Sequence, residues 1–437
     1  MSVLSPAATH ADRSLAHRDA ALPGLPWLLD NTRLSELLGE TVRVTRVRYK
    51  PGHSLLVAFR RLRNGTFDYG WAYTMTAPAE KLLRRESTSR SRGGNMRILR
   101  IQHSRDEVLV AVGEIGDDWA LRRNLKWLRQ SGAEQLGLHA GARTALPGGS
   151  AVLRYKPERR LVLLARNASA DVVIKTAAER ATPGQQAAFL DRLRHHGVPI
   201  LPQLANAECL AHGVSASTAW GTGDLSASKG HTDALAYKAG QALAALHRFP
   251  AADAAGTAPT GFPEAAGNWL QDHTAQLKAT RTMVSALLPE QEPLARQLES
   301  RLASLLLERP RTAPVLVHGD FSADQVLVGD SEVRLIDFDR ARTGMAEADL
   351  GSFAAAEEAG LSSHSGSRAR GAPAGGPKTA LLADGYLDAG GRLIQSEVDV
   401  WAAFRLFNSS VDTFRDRAPE WAADMSWHLS RAKELIP

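Results

Sequence analysis

Asp320, Gln325 and Asp337 stand within eighteen positions of one another in a chain of 437 residues, and two short apolar runs lie between them. Val326 to Val328 and Val333 to Ile336 flank Gly329-Asp330-Ser331. Two runs of strand-favouring residues around such a turn predict a β-hairpin. A hairpin returns the chain to the edge it left, so Asp320 and Gln325 before it and Asp337 after it share one end. Two carboxylates and an amide oxygen gathered there form a metal and acid/base constellation: hard oxygen ligands for a divalent cation, with a base or orienting group for a hydroxyl. The bland alternative is a surface hairpin with chance acids. It requires three spaced polar positions and two strands to coincide.

The spacing fits phosphoryl transfer. Protein kinases place a catalytic Asp, an amide that holds Mg²⁺ five positions later, and a second metal-binding Asp in Asp-Phe-Gly after a short hairpin. Here Asp320 precedes Gln325 by five, and Asp337-Phe338-Asp339 follows the hairpin. The His318-Gly319-Asp320 opening resembles the aminoglycoside phosphotransferase and small-molecule kinase family, over about the last two thirds of the chain. The resemblance implies an α+β, bilobal protein-kinase-like fold and an ATP- and Mg²⁺-dependent kinase acting on a hydroxyl of a small molecule such as a sugar, amino sugar or aminoglycoside. It makes Asp320 the catalytic residue, with Gln325 and Asp337 as metal ligands. Gln325 stands where the family usually has Asn; it is one methylene longer with the same amide oxygen, and bacterial maltokinase-like members look similar in carrying Gln there. Asp349-Leu350-Gly351 resembles the family's Asp-Leu-Ala element, whose carboxylate braces the catalytic loop.

The elements that must position these residues begin well upstream. Alternating Val42, Val44 and Val47 lead into the Arg48-Tyr49-Lys50-Pro51-Gly52 turn, Leu55 to Arg61 returns, and Phe67 to Met75 makes a third strand after Asn64-Gly65. About a hundred residues on, Arg154-Tyr155-Lys156-Pro157 repeats the turn, Leu161 to Arg166 the return, and Asp171 to Thr176 the third strand. This reads as an internal repeat, with chance reuse of a Tyr-Lys-Pro turn as the alternative. In the second copy Val172-Val173-Ile174-Lys175 matches the kinase strand whose Lys pairs nucleotide phosphates, whereas the first has Trp71-Ala72-Tyr73-Thr74. Lys175 is therefore the expected phosphate partner, and the first copy an N-terminal cap. Arg159 and Arg160 in the glycine-free turn are placed to touch phosphates directly, with Gly148-Gly149-Ser150 as the rival loop.

These readings divide the chain into a disordered start (1–20), a cap (21–135), a kinase N-lobe (136–225) and a C-lobe (226–437) with a mobile Ser/Gly/Arg/Pro loop at 361–378. Between the copies, Ser87 to Gly94 reads as a loop and Trp119 to Gln130 as a helix. A helix from Thr182-Pro183-Gly184-Gln185 to His196 has no Glu to hold Lys175, so either Asp191 or Glu179 serves or the pair is absent. Asp233 to His247 and Trp269 to Leu307 read as helical; His247 reads as structural, and Trp401, Phe404 and Phe407 as core.

Composition bounds the function. The sole cysteine, Cys209, allows no disulfide within the chain and suits a reducing cytoplasm. No apolar run is long enough for a signal peptide or membrane span. With 53 Lys and Arg against 47 Asp and Glu, the net charge is +6, but the basic residues are scattered and aromatics make up 6%. That pattern does not point to nucleic acid, and an anionic nucleotide accounts for local Arg and Lys equally well. Two rivals remain: a nucleotide-binding pseudokinase with a regulatory role, and a metal-dependent phosphohydrolase, which would not need the Val-Val-Ile-Lys strand. The acceptor, ATP against GTP, and the oligomeric state are not readable.

Overall fold

The computed structural model describes residues 8–63, 65–76, 78–103, 106–138, 146, 150–167, 169–178, 185–227, 232–250, 268–308, 313–362 and 372–437. They fall into two compact units. The first comprises Met1–Arg180, Leu204–Ala219 and Asp412–Ala422; the second comprises Ala181–Gln203, Trp220–Val411 and Ala423–Pro437.

The first unit is built on two antiparallel sheets. One contains β1 (Val42–Lys50), β2 (Ser54–Arg63), β3 (Thr66–Met75), β4 (Arg97–His103) and β5 (Asp106–Glu114), in the order β1-β2-β3-β5-β4. The other contains β6 (Ala151–Lys156), β7 (Arg160–Ala165), β8 (Val172–Ala177) and β9 (Val214–Thr218), in that order. The repeat seen in the sequence is present in three dimensions. Each copy is a three-strand meander, each has a register shift in its first strand, and each buries the tyrosine of its Tyr-Lys-Pro turn, Tyr49 and Tyr155. Strands β4 and β5 were left unassigned above, although Val108, Val110 and Val112 alternate inward as a half-buried strand requires.

Three expectations need correction here. The stretch Ser87 to Gly94 is not all loop, since a helix runs from Ala79 to Arg90. The helix expected from Trp119 begins only at Arg122, and its last turn, Leu128–Gly132, widens to π geometry. The start of the chain, expected to be disordered, forms a helix from His10 to Arg18. Thr9 and Asp12 make a capping box there, Leu15 is buried, and Asp12 accepts hydrogen bonds from Arg417 Nη1 at 2.7 Å and Nη2 at 2.9 Å. Burial alone would raise the Asp12 carboxyl, but the bonds and charge of Arg417 outweigh it and hold it below its ordinary value. That ordering depends on a partner four hundred positions away, which local composition does not reveal.

The second unit is mostly helical around two small sheets, one of three strands and one of two. Its strands are β10 (Gly223–Asp224), β11 (Val315–Val317), β12 (Val326–Val328), β13 (Val333–Leu335) and β14 (Arg342–Gly344); β10 pairs with β12, β12 with β13, and β11 with β14, all antiparallel. Trp269 to Leu307, expected to be helical, forms two helices, Asn268–Leu287 and Glu292–Glu308. The helices Thr232–His247 and Pro377–Asp388 cross at Gly240 and Gly385, where a β-carbon would fall on the carbonyl of Leu382 or of Tyr237. Of the loop expected at 361–378, residues 363–371 lie outside the described residues. Residues 374–378 are tied down: Glu357 accepts from the backbone N–H groups of Gly376, Lys378 and Thr379 at 2.8–3.0 Å, and Asp399 from that of Ala374. A carboxylate at the first turn of the Pro377–Asp388 helix satisfies donors that have no partner within the helix.

Candidate active site

The hairpin is β12–β13, with Val326 opposite Leu335 and Val328 opposite Val333. At its open end the Ile336 N–H donates to the Gln325 carbonyl at 3.1 Å, and His318 Nε2 donates to the Ile336 carbonyl at 2.8 Å. These two bonds fasten the segment before the hairpin to the residue preceding Asp337. Asp320, Gln325 and Asp337 are thereby carried by one connected loop system of the second unit.

Asp349 holds that loop from beneath. Its carboxylate, 1% exposed, accepts from the backbone N–H of His318 at 2.6 Å and of Gly319 at 2.9 Å. His247 Nε2 donates to the same group at 3.1 Å, and its other nitrogen meets the Tyr386 hydroxyl at 2.9 Å. Burial, with Glu347 and Asp349 adding to it, pushes the Tyr386 hydroxyl up to about 12, so it stays a donor. His247 and Tyr386 sit on the two helices that cross at Gly240 and Gly385. The contact between those helices therefore sets the position of the brace. Gly319 has φ +79°, and a β-carbon there would fall on the Arg340 carbonyl, so His-Gly-Asp fits this turn where a larger middle residue would not. His318 is fully buried against Phe321 and Phe338.

Asp320 faces two guanidinium groups. Arg405 Nη1 lies 2.7 Å from Oδ1, and Arg340 Nη1 lies 3.4 Å from Oδ2. The pull of Arg405 on this carboxylate is chiefly coulombic, with a smaller hydrogen-bonding part. Burial raises the Asp320 carboxyl, the charges of Arg405 and Arg340 lower it, and the net lies below the ordinary value. Asp320 is therefore a carboxylate at neutral pH. Beside it opens a cavity of about 870 Å³ lined by Asp272, His273, Arg340, Arg342, Trp401, Phe404, Arg405 and Asn408 among others. Phe407 is core as expected; Trp401 and Phe404 are buried too, but each also lines this cavity. Arg340, Arg342, Arg405 and His273 were missed in the sequence. Arg405 lies eighty-five positions beyond Asp320, and no local signal joins them.

Gln325 is 8% exposed, on the 3₁₀ turn Ala323–Gln325. Asp337 has left-handed backbone angles, φ 66° and ψ 54°. Among the described residues, no group of three or more His, Cys, Asp or Glu side chains is placed to hold a metal. One carboxylate and one amide oxygen nevertheless suit Mg²⁺, which keeps several waters and takes substrate phosphates as its remaining ligands.

Lys175, Arg159 and Arg160 belong to the first unit. Lys175 stands in the middle of β8, opposite Val162 and Ser215. Arg159 is exposed in the turn and Arg160 opens β7. Asp118 holds that turn by accepting from the Glu158 N–H and the Tyr155 hydroxyl, each at 2.8 Å. Lys156 nearby is pushed down to about 7 by burial and by Arg154, Arg46 and Arg160, with Asp412 opposing. Of the candidate partners of Lys175, Asp191 pairs with Arg194 at 3.2 Å, while Glu179 lies outside the described residues, as do Gly148 and Gly149 of the rival loop.

The family model of the phosphotransferase enzyme family matches residues 158–406, more than half the chain. The chain belongs to that family. No curated protein matches it in sequence. Among solved structures, it is similar to the gentamicin complex of APH(2")-IIa, at 14% identity over 71% of this chain and 98% of that one with a TM-score of 0.47. A choline/ethanolamine kinase family protein from Mesorhizobium loti shares 15% identity over 70% and 94% of the two chains, with a TM-score of 0.45. A spectinomycin phosphotransferase bound to ADP and spectinomycin shares 13% over 65% and 88%, also at 0.45. The phosphotransferase family match spans both the Arg159 turn and Arg405. The fold is of the α+β, protein-kinase-like kind that the catalytic stretch implied.

Proposed function

We propose that this phosphotransferase is an ATP-dependent kinase that phosphorylates a hydroxyl of a small, sugar-like acceptor. The observation that carries this reading is the braced loop holding the ionised Asp320 against Arg340 and Arg405, two residues that line the 870 Å³ cavity. Asp320 accepts or orients the acceptor's hydroxyl proton. The freed oxygen forms a bond to the γ-phosphorus of ATP, the bond from that phosphorus to the bridging oxygen breaks, and ADP leaves. Gln325 and Asp337 offer oxygens to Mg²⁺, which when bound offsets charge on the phosphate oxygens. Lys175, with Arg159 and Arg160, offers cations to the phosphates, and the crowding that lowers Lys156 would be relieved by a polyanion. Residues 21–135 then serve as a cap, 136–225 as N-lobe and 226–437 as C-lobe, because only the second repeat carries the lysine. No helix among the described residues is long and apolar enough to cross a membrane.

Of the three guanidinium groups that line this cavity, Arg340 and Arg405 face Asp320, and Asp272 is the exposed carboxylate of the lining, which is little acid to hold a polycation such as an aminoglycoside. A neutral or acidic sugar suits it better. In a coupled assay with Mg²⁺, ADP should appear steadily only when such an acceptor is added. ADP release at the same rate without any acceptor would favour a phosphohydrolase, and none under any condition a pseudokinase. In the active system, Gln325→Ala should raise the Mg²⁺ concentration needed for half-maximal rate; an unchanged midpoint would remove Gln325 from the ligand set.

The Arg405 contact makes a second test. Arg405→Ala removes the larger of the two charges that lower Asp320 and leaves burial less opposed. The acid limb of the pH profile of kcat/KM should therefore move to higher pH, because more of the carboxyl is protonated at a given acid pH. A limb that stays in place would separate Arg405 from Asp320.

A further inference from the structure

We infer that the N-terminal unit carries a second anion site, a cavity that takes a small molecule bearing several phosphate groups. Four basic residues within eight positions of one helical stretch, Arg122 to Arg129, are joined here by Arg92 from a separate turn. Arg92, Arg122, Arg123, Lys126 and Arg129 line a cavity of about 610 Å³ formed by the turn after the Ala79–Arg90 helix, the 3₁₀ turn Ile115–Asp117, and the helix that starts at Arg122. Among the described residues none of these five pairs with a carboxylate.

The two acids that also line the cavity are already engaged. Asp117 accepts from Ser89 Oγ at 3.1 Å, the Asn95 N–H at 2.9 Å and the Glu114 N–H at 3.2 Å. Glu114 faces Arg61 at 3.0 Å and Arg63 at 3.3 Å. The cavity therefore has a surplus of positive charge that its own residues do not cancel. Burial and the charges of Arg92 and Arg123 lower the proton affinity of Arg122, which registers that repulsion.

Arg122 is held in a way that leaves its donors available. Its guanidinium lies over the Trp119 ring at 4.1 Å, and Arg85 lies over the same ring at 5.3 Å. Stacking uses the face of a guanidinium and leaves the N–H edge for a planar or tetrahedral anion. A single carboxylate or phosphate would leave most of five cations uncompensated. Several phosphates on one compact molecule match them, and 610 Å³ lies within the usual range for small-ligand cavities. A concave site of this size favours such a ligand over an extended nucleic acid, which would need a basic face with several aromatic rings along it.

Calorimetric titration of the full chain with inorganic tripolyphosphate, without divalent metal, tests this. Tripolyphosphate should bind more tightly than inorganic phosphate. R122Q/R123Q should weaken it by roughly tenfold or more, since two charge-assisted contacts are lost. K126Q/R129Q, with both side chains exposed, supplies the same test should the first variant fold poorly. Lys175→Ala should leave this binding in place, which separates the cavity from a phosphate site at β8. Unchanged binding in both double variants overturns the inference, as does loss of binding in Lys175→Ala alone. Tighter binding of a single-stranded oligonucleotide than of tripolyphosphate, lost in the same double variants, would make the cavity part of a nucleic-acid surface and overturn it equally.

Discussion

Asp320→Asn is expected to leave a folded protein with almost no turnover. The substitution keeps shape and hydrogen-bonding capacity but removes the negative charge and the site that takes a proton. The expected loss in kcat is roughly a hundredfold or more, the usual contribution of a positioned base. Stability should change little, because the loop is held by Asp349 and by the His318 to Ile336 bond, neither of which involves the Asp320 side chain. The ion pairs with Arg405 and Arg340 are partly exposed, with 26% of the Asp320 side chain accessible, so their loss is screened. A coupled ADP assay beside a thermal melt reads both arms. Turnover near that of the wild type would take Asp320 out of the reaction, whatever the melt showed.

Asp349→Ala is expected to lower stability and activity together. Three donors, the N–H groups of His318 and Gly319 and Nε2 of His247, lose their acceptor; His318 and His247 are buried, and Gly319 stands beside the cavity. An unpaired buried donor costs about 1–3 kcal/mol, and such costs do not simply add, so a total of about 3–5 kcal/mol is expected. Against a domain stability of about 5–15 kcal/mol, that is a large fraction, and the melting temperature should fall by roughly 10 °C. The rate should also fall at temperatures well below the melt, because Gly319 and with it Asp320 are no longer fixed. Asp349→Asn should recover little, since its NH₂ would face donors. A melt within about 2 °C of the wild type would show that the brace is not what holds the loop.

How legible these features were depended on the range of the interaction that makes them. The β12–β13 hairpin is written locally, in two apolar runs and a turn, and its ends bring Asp320, Gln325 and Asp337 onto one loop system as their spacing implied. The repeated meander was legible for the same reason. Asp349 was visible through its motif, but its partners His247 and Tyr386 meet it only because two helices cross at Gly240 and Gly385. Arg405 carries no local pattern that joins it to Asp320; of the five cations of the first unit, four stand at helical spacing between Arg122 and Arg129, and what the sequence hides is the cavity that Arg92 and the neighbouring turns close around them. The N-terminal helix was misjudged because a polar stretch was weighed without the buried salt bridge of Asp12 with Arg417. Strand β5 carries the alternation of Val108, Val110 and Val112, whereas β4, with Ile98 and Leu99 adjacent, shows no such pattern.

The backbone of Asp337 has a consequence for how this protein could be improved. At φ 66° an L-residue is less stable than glycine by about 1 kcal/mol, less for Asp than for a branched side chain. Asp337→Gly would relieve that strain and remove the carboxylate. Under the metal-binding role proposed for Asp337, heat resistance and work are opposed at one position, and a directed-evolution screen that scored survival of heating alone would enrich sturdy, inert chains. Any such screen needs a readout of product formation from its first round.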